Sequence, residues 1–270
     1  MENKFNLTNE INQKAVKLFL IIVVVVSAIV EGVIIYTGAM GLATLLMCVP
    51  ALAAVITKLK YFKGEKHALA VQKCKIKYIG LGVLIPLLYI GIPYLIYWII
   101  NPGSLQLELK PMLIGSTVIG ILINMLPAFG EELGWRGFLV PRLLQWIGLE
   151  KMLILTGLIW ALWHCPLLIS GIYMPGTPIW FKVPMFIIII GSVGVIIAIL
   201  TLRAGSIWPA TVMHAAHNMI DQAVFGAGTV GDDKMYFVSE TGIFTAVFVI
   251  GMAIWMYCSY RKELKAQIVE

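Results

Sequence analysis

Long apolar runs alternate with short polar connections along the whole chain. A helix that crosses a bilayer needs about 20 mainly apolar residues, and eight runs reach or approach that length. They predict eight membrane-spanning helices, over residues 16–38, 40–57, 79–100, 112–130, 152–170, 184–202, 206–225 and 241–260. The first run is longer than the apolar stretch of a signal peptide and has no convincing cleavage site after it, so we interpret it as a retained helix.

The composition is that of a membrane protein. The 270 residues are 60% hydrophobic and 13% charged, with a mean hydropathy of +0.92, whereas about a quarter of the residues in a soluble globular domain are charged. The net charge of +6 comes from basic residues between the apolar runs, which argues against nucleic acid as a partner. We predict an all-α polytopic protein of the lipid bilayer, with one transmembrane domain over residues 1–270.

The basic residues also predict an orientation, because positively charged connections stay on the cytoplasmic side of a membrane. With the N-terminus inside, all of the 20 Lys and Arg residues except Lys110, Lys182 and Lys234 fall in cytoplasmic segments. Eight spans then place both termini in the cytoplasm. We interpret the basic connection 58–77 as a topology signal, with attraction to anionic lipid headgroups as the alternative.

Ionisable side chains inside the apolar runs are few, and most of them form three clusters. Such groups are costly at membrane depth and usually face a bundle interior or a wet cavity. The clusters lie in FGEELGWRGF (129–138), WALWHC (160–165) and HAAHNMID (214–221). Helix geometry predicts that all three lie at a similar depth, in the cytoplasmic half of the bilayer, where they can share one cavity.

The first cluster holds two adjacent glutamates and an arginine. Glu132 and Arg136 are four residues apart, so on a helix they can form an ion pair that lowers the cost of burying both. Glu131 points about 100° away from Glu132 and has no partner within this segment. Glu131 is therefore the candidate general base.

The other two clusters supply histidines and an amide. His164, taken alone, is more often a satisfied core residue than a catalytic one. His214, Asn218 and Asp221 are four and three residues apart, so with Thr211 they are expected to form one polar stripe. His217 lies about 60° from His214. A structural hydrogen-bond seam between helices and a transport pathway are alternative interpretations of this stripe.

Two kinds of chemistry fit these residues. In the first, Glu131 deprotonates water, and Asn218 with a histidine donates hydrogen bonds to the developing oxyanion. In the second, Glu131, His164 and His214 bind a catalytic zinc with an open position for water, or His214 and His217 share a metal. The sequence has no HExxH motif. We prefer the metal-free arrangement and keep zinc as the alternative cofactor.

The three clusters resemble the motifs of a known family. EELGWR fits EExxxR, WALWH approximates FxxxH with Trp160 in place of phenylalanine, and HAAHN fits HxxxN. These are motifs of the CAAX protease and bacteriocin-processing family, also called CPBP or Abi proteins, which includes CAAX prenyl endopeptidase type 2. The motif-bearing core covers about residues 112–225.

The resemblance implies an eight-helix intramembrane endopeptidase whose cavity opens to the cytosol and the membrane. By motif position it implies that Glu131 activates water and that Glu132 and Arg136 support the site. It also implies catalytic roles for three further residues, His164, His214 and Asn218. Relatives are described both as metalloproteases and as glutamate-dependent proteases, so the resemblance leaves the metal question open.

We therefore predict a multi-pass membrane peptidase of a bacterial cell membrane that cleaves a membrane-associated peptide or protein. Processing of a bacteriocin or pheromone peptide, or self-immunity, is compatible with this prediction. The leading alternative is a noncatalytic membrane regulator or scaffold of a partner such as a sensor kinase. A transporter is a further alternative, for which Glu31 in the middle of the first span is the candidate residue.

Overall fold

The computed structural model describes residues 2–107 and 111–269, and the side chains of residues 9–107 and 112–267. These residues contain no β-strand, and the prediction of an all-α membrane fold is confirmed. Their α-helices are Glu2–Thr37 (α1), Ala43–Tyr61 (α2), Ile76–Ile100 (α3), Pro111–Glu132 (α4), Val140–Ile147 (α5), Leu149–Trp163 (α6), Cys165–Ile169 (α7), Ile179–Ala204 (α8), Trp208–Asn218 (α9), Lys234–Phe237 (α10) and Ile243–Val269 (α11).

Six helical segments within the described residues are long and apolar enough to cross a membrane. They are Asn9–Thr37, Met40–Tyr61, Ile76–Ile100, Met112–Ile147, Ile179–Ala204 and Ile243–Gln267. Each corresponds to one of the eight predicted spans. The count of eight and the cytoplasmic position of both termini stay predictions.

The predicted span 152–170 is not one continuous helix. α6 ends at Trp163, and the short helix α7 follows directly after His164. Pro166 lies in the first turn of α7, where it has no N–H for the carbonyl four residues earlier and its ring crowds that carbonyl. The prediction of an unbroken helix is therefore wrong here, and the break falls at a motif histidine.

The predicted span 206–225 also changes geometry at a motif residue. α9 ends at Asn218 and continues as a π-helical segment, Met219–Phe225. The span predicted over 112–130 continues in the same way. After Glu132 it becomes π-helical over Leu133–Leu139 and then runs on as α5. π-Helical turns are rare and often occur at functional sites, and both begin directly after a motif residue.

Close helix contacts hold these segments together around α8. The apolar stretch of α8 is 61% buried, against 28% for those of α1 and α11, so α8 is the central helix. A Cβ on Gly157 of α6 would lie 2.6 Å from the carbonyl oxygen of Gly191 in α8. A Cβ on Gly134 would lie 2.4 Å from a side-chain carbon of Pro50 in α2. Glycine at these positions lets the motif-bearing helices pack backbone against backbone.

Candidate active site

One cavity of about 180 Å³ has all four predicted catalytic residues in its wall: Glu131, His164, His214 and Asn218. They come from the end of α4, the break after α6, and the last two turns of α9. The structure thus brings together three segments that are far apart in the sequence, as the depth argument predicted. Their catalytic roles stay predictions.

Glu132 lies behind the cavity wall and holds two of its neighbours. One oxygen, Oε1, accepts a hydrogen bond from Nη1 of Arg136 at 3.0 Å and another from Nδ1 of His214 at 2.9 Å. Glu132 is fully buried and Arg136 is 2% exposed. The ion pair predicted from the four-residue spacing is therefore present. The bond to His214 was not predicted, and it ties the first motif to the third.

Arg136 also contacts the second motif. Its guanidinium lies 4.2 Å from the centre of the Trp160 ring. A cation over an indole face is attracted by the ring quadrupole, more strongly when both are shielded from water. Arg136 therefore links α6 to the Glu132 carboxylate, as a supporting rather than a cavity-lining residue.

Glu131 has a hydrogen-bond partner from another helix, which the sequence did not predict. Nε1 of Trp160 donates a hydrogen bond to Oε2 of Glu131 at 2.7 Å. The tryptophan that stands in the place of the motif phenylalanine thus orients the candidate base. Since the indole engages Oε2, the second oxygen, Oε1, is left for a water molecule.

The two predicted catalytic histidines, His164 and His214, each carry a proton on the same ring nitrogen. Nδ1 of His164 lies 2.8 Å from the carbonyl oxygen of Trp160, and Nδ1 of His214 lies against the Glu132 carboxylate. A carbonyl and a carboxylate only accept hydrogen bonds, so Nδ1 of each ring carries a proton. The Nε2 atom of each imidazole is then left to meet substrate or water.

Aromatic rings surround the reactive groups. The His164 ring centre lies 5.0 Å from that of Trp163, 5.8 Å from that of Trp160 and 5.4 Å from that of Phe186. The Trp160 ring is also 5.4 Å from the His214 ring. Rings at these distances exclude bulk water, which strengthens hydrogen bonds and charge interactions inside the cavity.

A second polar cluster closes one side of the cavity. His217 shares a hydrogen bond with the Tyr89 hydroxyl through Nδ1 at 2.7 Å and meets Oε1 of Glu240 through Nε2 at 3.0 Å. Glu240 also accepts hydrogen bonds from Tyr173 and Gln222. Both ring nitrogens of His217 are engaged, so as placed it has none left for a metal shared with His214.

Glu240 is a cavity residue that the sequence reasoning missed. It lies in the turn Ser239–Thr241, between the predicted spans. Burial alone would raise the pKa of its carboxyl group, but the hydrogen bonds from His217 and Tyr173 outweigh burial and hold that pKa below its ordinary value. The local sequence offers no signal that separates Glu240 from the other acidic residues of its connection.

The predicted polar stripe ends at Asn218. A π-helix turns by fewer degrees per residue than an α-helix, so the π-helical segment after Asn218 moves Asp221 out of line with His214. Among the described residues, Asp221 is not part of the cavity wall. Its Oδ2 instead accepts a hydrogen bond from the Ser239 hydroxyl at 2.8 Å. The prediction of one stripe that includes Asp221 is therefore wrong.

The described residues do not form a metal site as placed. No group of three or more His, Cys, Asp or Glu side chains within residues 9–107 and 112–267 has the geometry to hold a metal ion. Glu131, His164 and His214 share the cavity, and the bonds that each makes to the protein engage Oε2 of the glutamate and Nδ1 of each histidine. Zinc at these three residues stays a prediction.

Comparison with known proteins gives two matches. Residues 113–220 match the family described as type II CAAX prenyl endopeptidase Rce1-like. A protein named CAAX prenyl protease 2, from Methanococcus maripaludis, is 31% identical over 142 residues, which are 51% of this chain and 49% of the relative. The match thus spans about half the length of that relative. Both findings confirm the resemblance to the CAAX protease and bacteriocin-processing family, which residues 113–220 carry.

Proposed function

We propose that this protein is an intramembrane endopeptidase that hydrolyses a peptide bond in a membrane-associated peptide or protein. The observation that carries the proposal is the convergence of Glu131, His164, His214 and Asn218 on one small cavity lined by aromatic rings. A carboxylate, two imidazoles and an amide in a water-poor cavity form a set suited to acyl transfer to water. The family match supports a peptidase.

In this mechanism Glu131 is the general base. Trp160 holds Oε2, so Oε1 accepts a proton from a water molecule, and the water oxygen attacks the scissile carbonyl carbon. The carbonyl π electrons move onto the oxygen and form an oxyanion. Nε2 of His164 accepts the second hydrogen bond of the water and orients it. General base catalysis of this kind typically contributes about 10²- to 10⁴-fold to the rate.

Two groups stabilise the oxyanion. The side-chain amide of Asn218 donates one hydrogen bond. Protonated His214 donates a second from Nε2, while the Glu132 carboxylate beside Nδ1 balances its charge. When the tetrahedral intermediate collapses, the C–N bond breaks and the proton on Glu131 passes to the leaving nitrogen. Water is consumed, an acid and an amine are released, and Glu131 returns to its carboxylate form.

The finer assignments belong to the same proposal. We place the protein in a bacterial cell membrane, as one transmembrane domain with eight passes and both termini in the cytoplasm. The relative's name refers to CAAX prenyl proteins, and a carboxyl-terminal peptide of a lipid-modified protein is one substrate class to include in an assay. Precursors of bacteriocins or pheromone peptides are another class, with peptide maturation or self-immunity as the role.

The experiment is a cleavage assay with a peptide library on the purified protein in lipid nanodiscs. The parent should cleave a subset of peptides at one position, and His214→Ala should lose that cleavage while it still purifies as folded protein. Addition of a chelator should leave the parental rate unchanged. If the chelator abolishes cleavage and zinc restores it, the zinc arrangement replaces the metal-free one. If the parent cleaves no member of the library, the regulator alternative is favoured.

A further inference from the structure

The wall of the cavity includes residues from connections at one end of the helical bundle. These wall residues include Met40, Tyr173 and Glu240. Met40 lies between α1 and α2, Tyr173 lies between α7 and α8, and Glu240 lies between α10 and α11. No wall residue comes from the described connection between α2 and α3, or from the turns that join α5 to α6 and α8 to α9.

Direct bonds show that the bordering connections lie together. The hydroxyl of Tyr173 donates a hydrogen bond to Oε2 of Glu240, which joins the connection before α8 to the one before α11. Nζ of Lys182, near the start of α8, donates to the carbonyl oxygen of Met174 at 3.2 Å. The connections 170–178 and 226–242 are therefore hydrogen-bonded to each other beside the cavity, and we call this pair of connections the rim.

The two ends of the bundle differ in their content of basic residues. The connections 38–42 and 170–178 contain no Lys or Arg, and the connection 226–242 has Lys234 together with Asp232, Asp233 and Glu240. Lys234 is used locally, since its Nζ donates to the carbonyl oxygens of Gly226 and Thr229. The opposite end carries the seven lysines of residues 58–77 and the basic residues near the end of α11, Arg261, Lys262 and Lys265.

We propose that the cavity opens on the extracytoplasmic side of the membrane, so that its substrate is a peptide presented from that side. Basic connections stay in the cytoplasm, and the rim belongs to the other end. A cytoplasmic N-terminus and a cavity open to the cytoplasm, both predicted from the sequence, cannot both hold for this geometry. The charge distribution involves nearly every basic residue of the chain, so we retain the orientation.

The substrate class follows from the side of opening. It is an exported peptide, or the extracytoplasmic end of a membrane-anchored protein, that enters beneath the rim of Tyr173 and Glu240. That the substrate is cleaved rests on the proposed peptidase function. The side of the membrane on which the cavity opens does not depend on that function.

Cysteine accessibility in intact cells tests the side of opening. All four native cysteines are first replaced by serine: Cys48, Cys74, Cys165 and Cys258. Single cysteines are then introduced by Gln222→Cys in the cavity wall, Asp232→Cys in the rim connection and Lys66→Cys in the basic connection, all three at exposed positions. A membrane-impermeant maleimide is applied before and after permeabilisation, and all variants must accumulate in the membrane at the parental level.

Before permeabilisation, we expect the maleimide to label Q222C and D232C, and to label K66C only afterwards. The reverse pattern overturns the orientation. Labelling of D232C from outside with Q222C labelled only after permeabilisation, or not at all, overturns the opening of the cavity on that side. Since labelling needs no cleavage, this outcome is independent of the peptidase proposal.

Vesicles of defined orientation test the substrate. A membrane-impermeant peptide that the purified protein cleaves should be cleaved by right-side-out vesicles and spared by inverted ones until detergent is added. Cleavage by the inverted vesicles alone overturns the extracytoplasmic substrate while leaving the peptidase function intact.

Discussion

Replacement of Arg136 by methionine tests how the buried charges of the first motif are held. Arg136 and Glu132 are 2% and 0% exposed in their side chains and lie 3.0 Å apart. Methionine keeps much of the length and apolar contact of the arginine side chain but removes its charge. The Glu132 carboxylate is then left with His214 alone as its hydrogen-bond partner.

The expected loss is large because Glu132 has no access to water. Removal of one member of a buried ion pair typically costs about 3–5 kcal/mol, since the remaining charge stays buried without compensation. Arg136→Met also removes the contact of the guanidinium with the Trp160 ring. The range of about 3–5 kcal/mol already includes the loss of this contact. We therefore expect Arg136→Met to lower the free energy of unfolding by about 3–5 kcal/mol.

Unfolding of the purified protein in mixed detergent micelles, followed by tryptophan fluorescence, measures this loss. Lys14→Met is the matched control. Lys14 and Glu10 are also four residues apart on a helix, but their side chains are 60% and 59% exposed, so no measurable change is expected. The double variant Glu132→Gln, Arg136→Met removes both charges and should be more stable than Arg136→Met alone. If Arg136→Met unfolds like the parent, the pair does not hold the motif in place.

Three further changes have defined outcomes. Gly134→Ala places a Cβ 2.4 Å from Pro50 and should lower unfolding stability by about 1–3 kcal/mol, whereas Gly251→Ala, with no described atom within 4 Å of its Cβ, should not; equal effects would refute the close approach. Tyr89→Phe removes the 2.7 Å hydrogen bond between the Tyr89 hydroxyl and Nδ1 of His217 and should lower the free energy of unfolding by about 1–3 kcal/mol in the same assay. An unchanged unfolding midpoint would show that this bond does not stabilise the protein. Asn218→Ala should lower kcat by about 10²- to 10³-fold with little change in KM; a purely raised KM would assign it to substrate binding instead.

Hydropathy predicted much of the fold because the signal is local. Six of the eight apolar runs correspond to helices long enough to span a membrane. Of the other two runs, one is interrupted at His164, and the other changes from an α-helix to a π-helical segment after Asn218. Pro166 is visible in the sequence as a helix breaker, but no residue pattern after Asn218 predicted the π-helical segment.

The four predicted catalytic residues line one cavity, but the sequence did not predict their hydrogen-bond partners. Helix spacing gave the pair of Glu132 and Arg136, since both lie on one helix. The bond from Trp160 to Glu131 joins residues 29 positions apart, and the bond from His217 to Glu240 joins α9 to the connection before α11. Such bonds depend on how helices pack side by side, so sequence spacing alone does not predict them.

The central claim is that Glu131 activates water in this cavity. Its most direct test compares the single-turnover cleavage rates of Glu131→Gln and Glu31→Gln with that of the parent. Both glutamates are buried, at 1% and 6% exposure, but Glu31 lies in α1 and is absent from the described cavity wall. Glutamine keeps the size of glutamate and can still accept the Trp160 hydrogen bond.

We expect Glu131→Gln to cleave about 10²- to 10⁴-fold more slowly than the parent, as loss of a general base requires, and Glu31→Gln to cleave at close to the parental rate. Both variants should unfold at the temperature of the parent. A Glu131→Gln rate equal to that of the parent, or an equal loss in both variants, would contradict the assignment of Glu131 as the base.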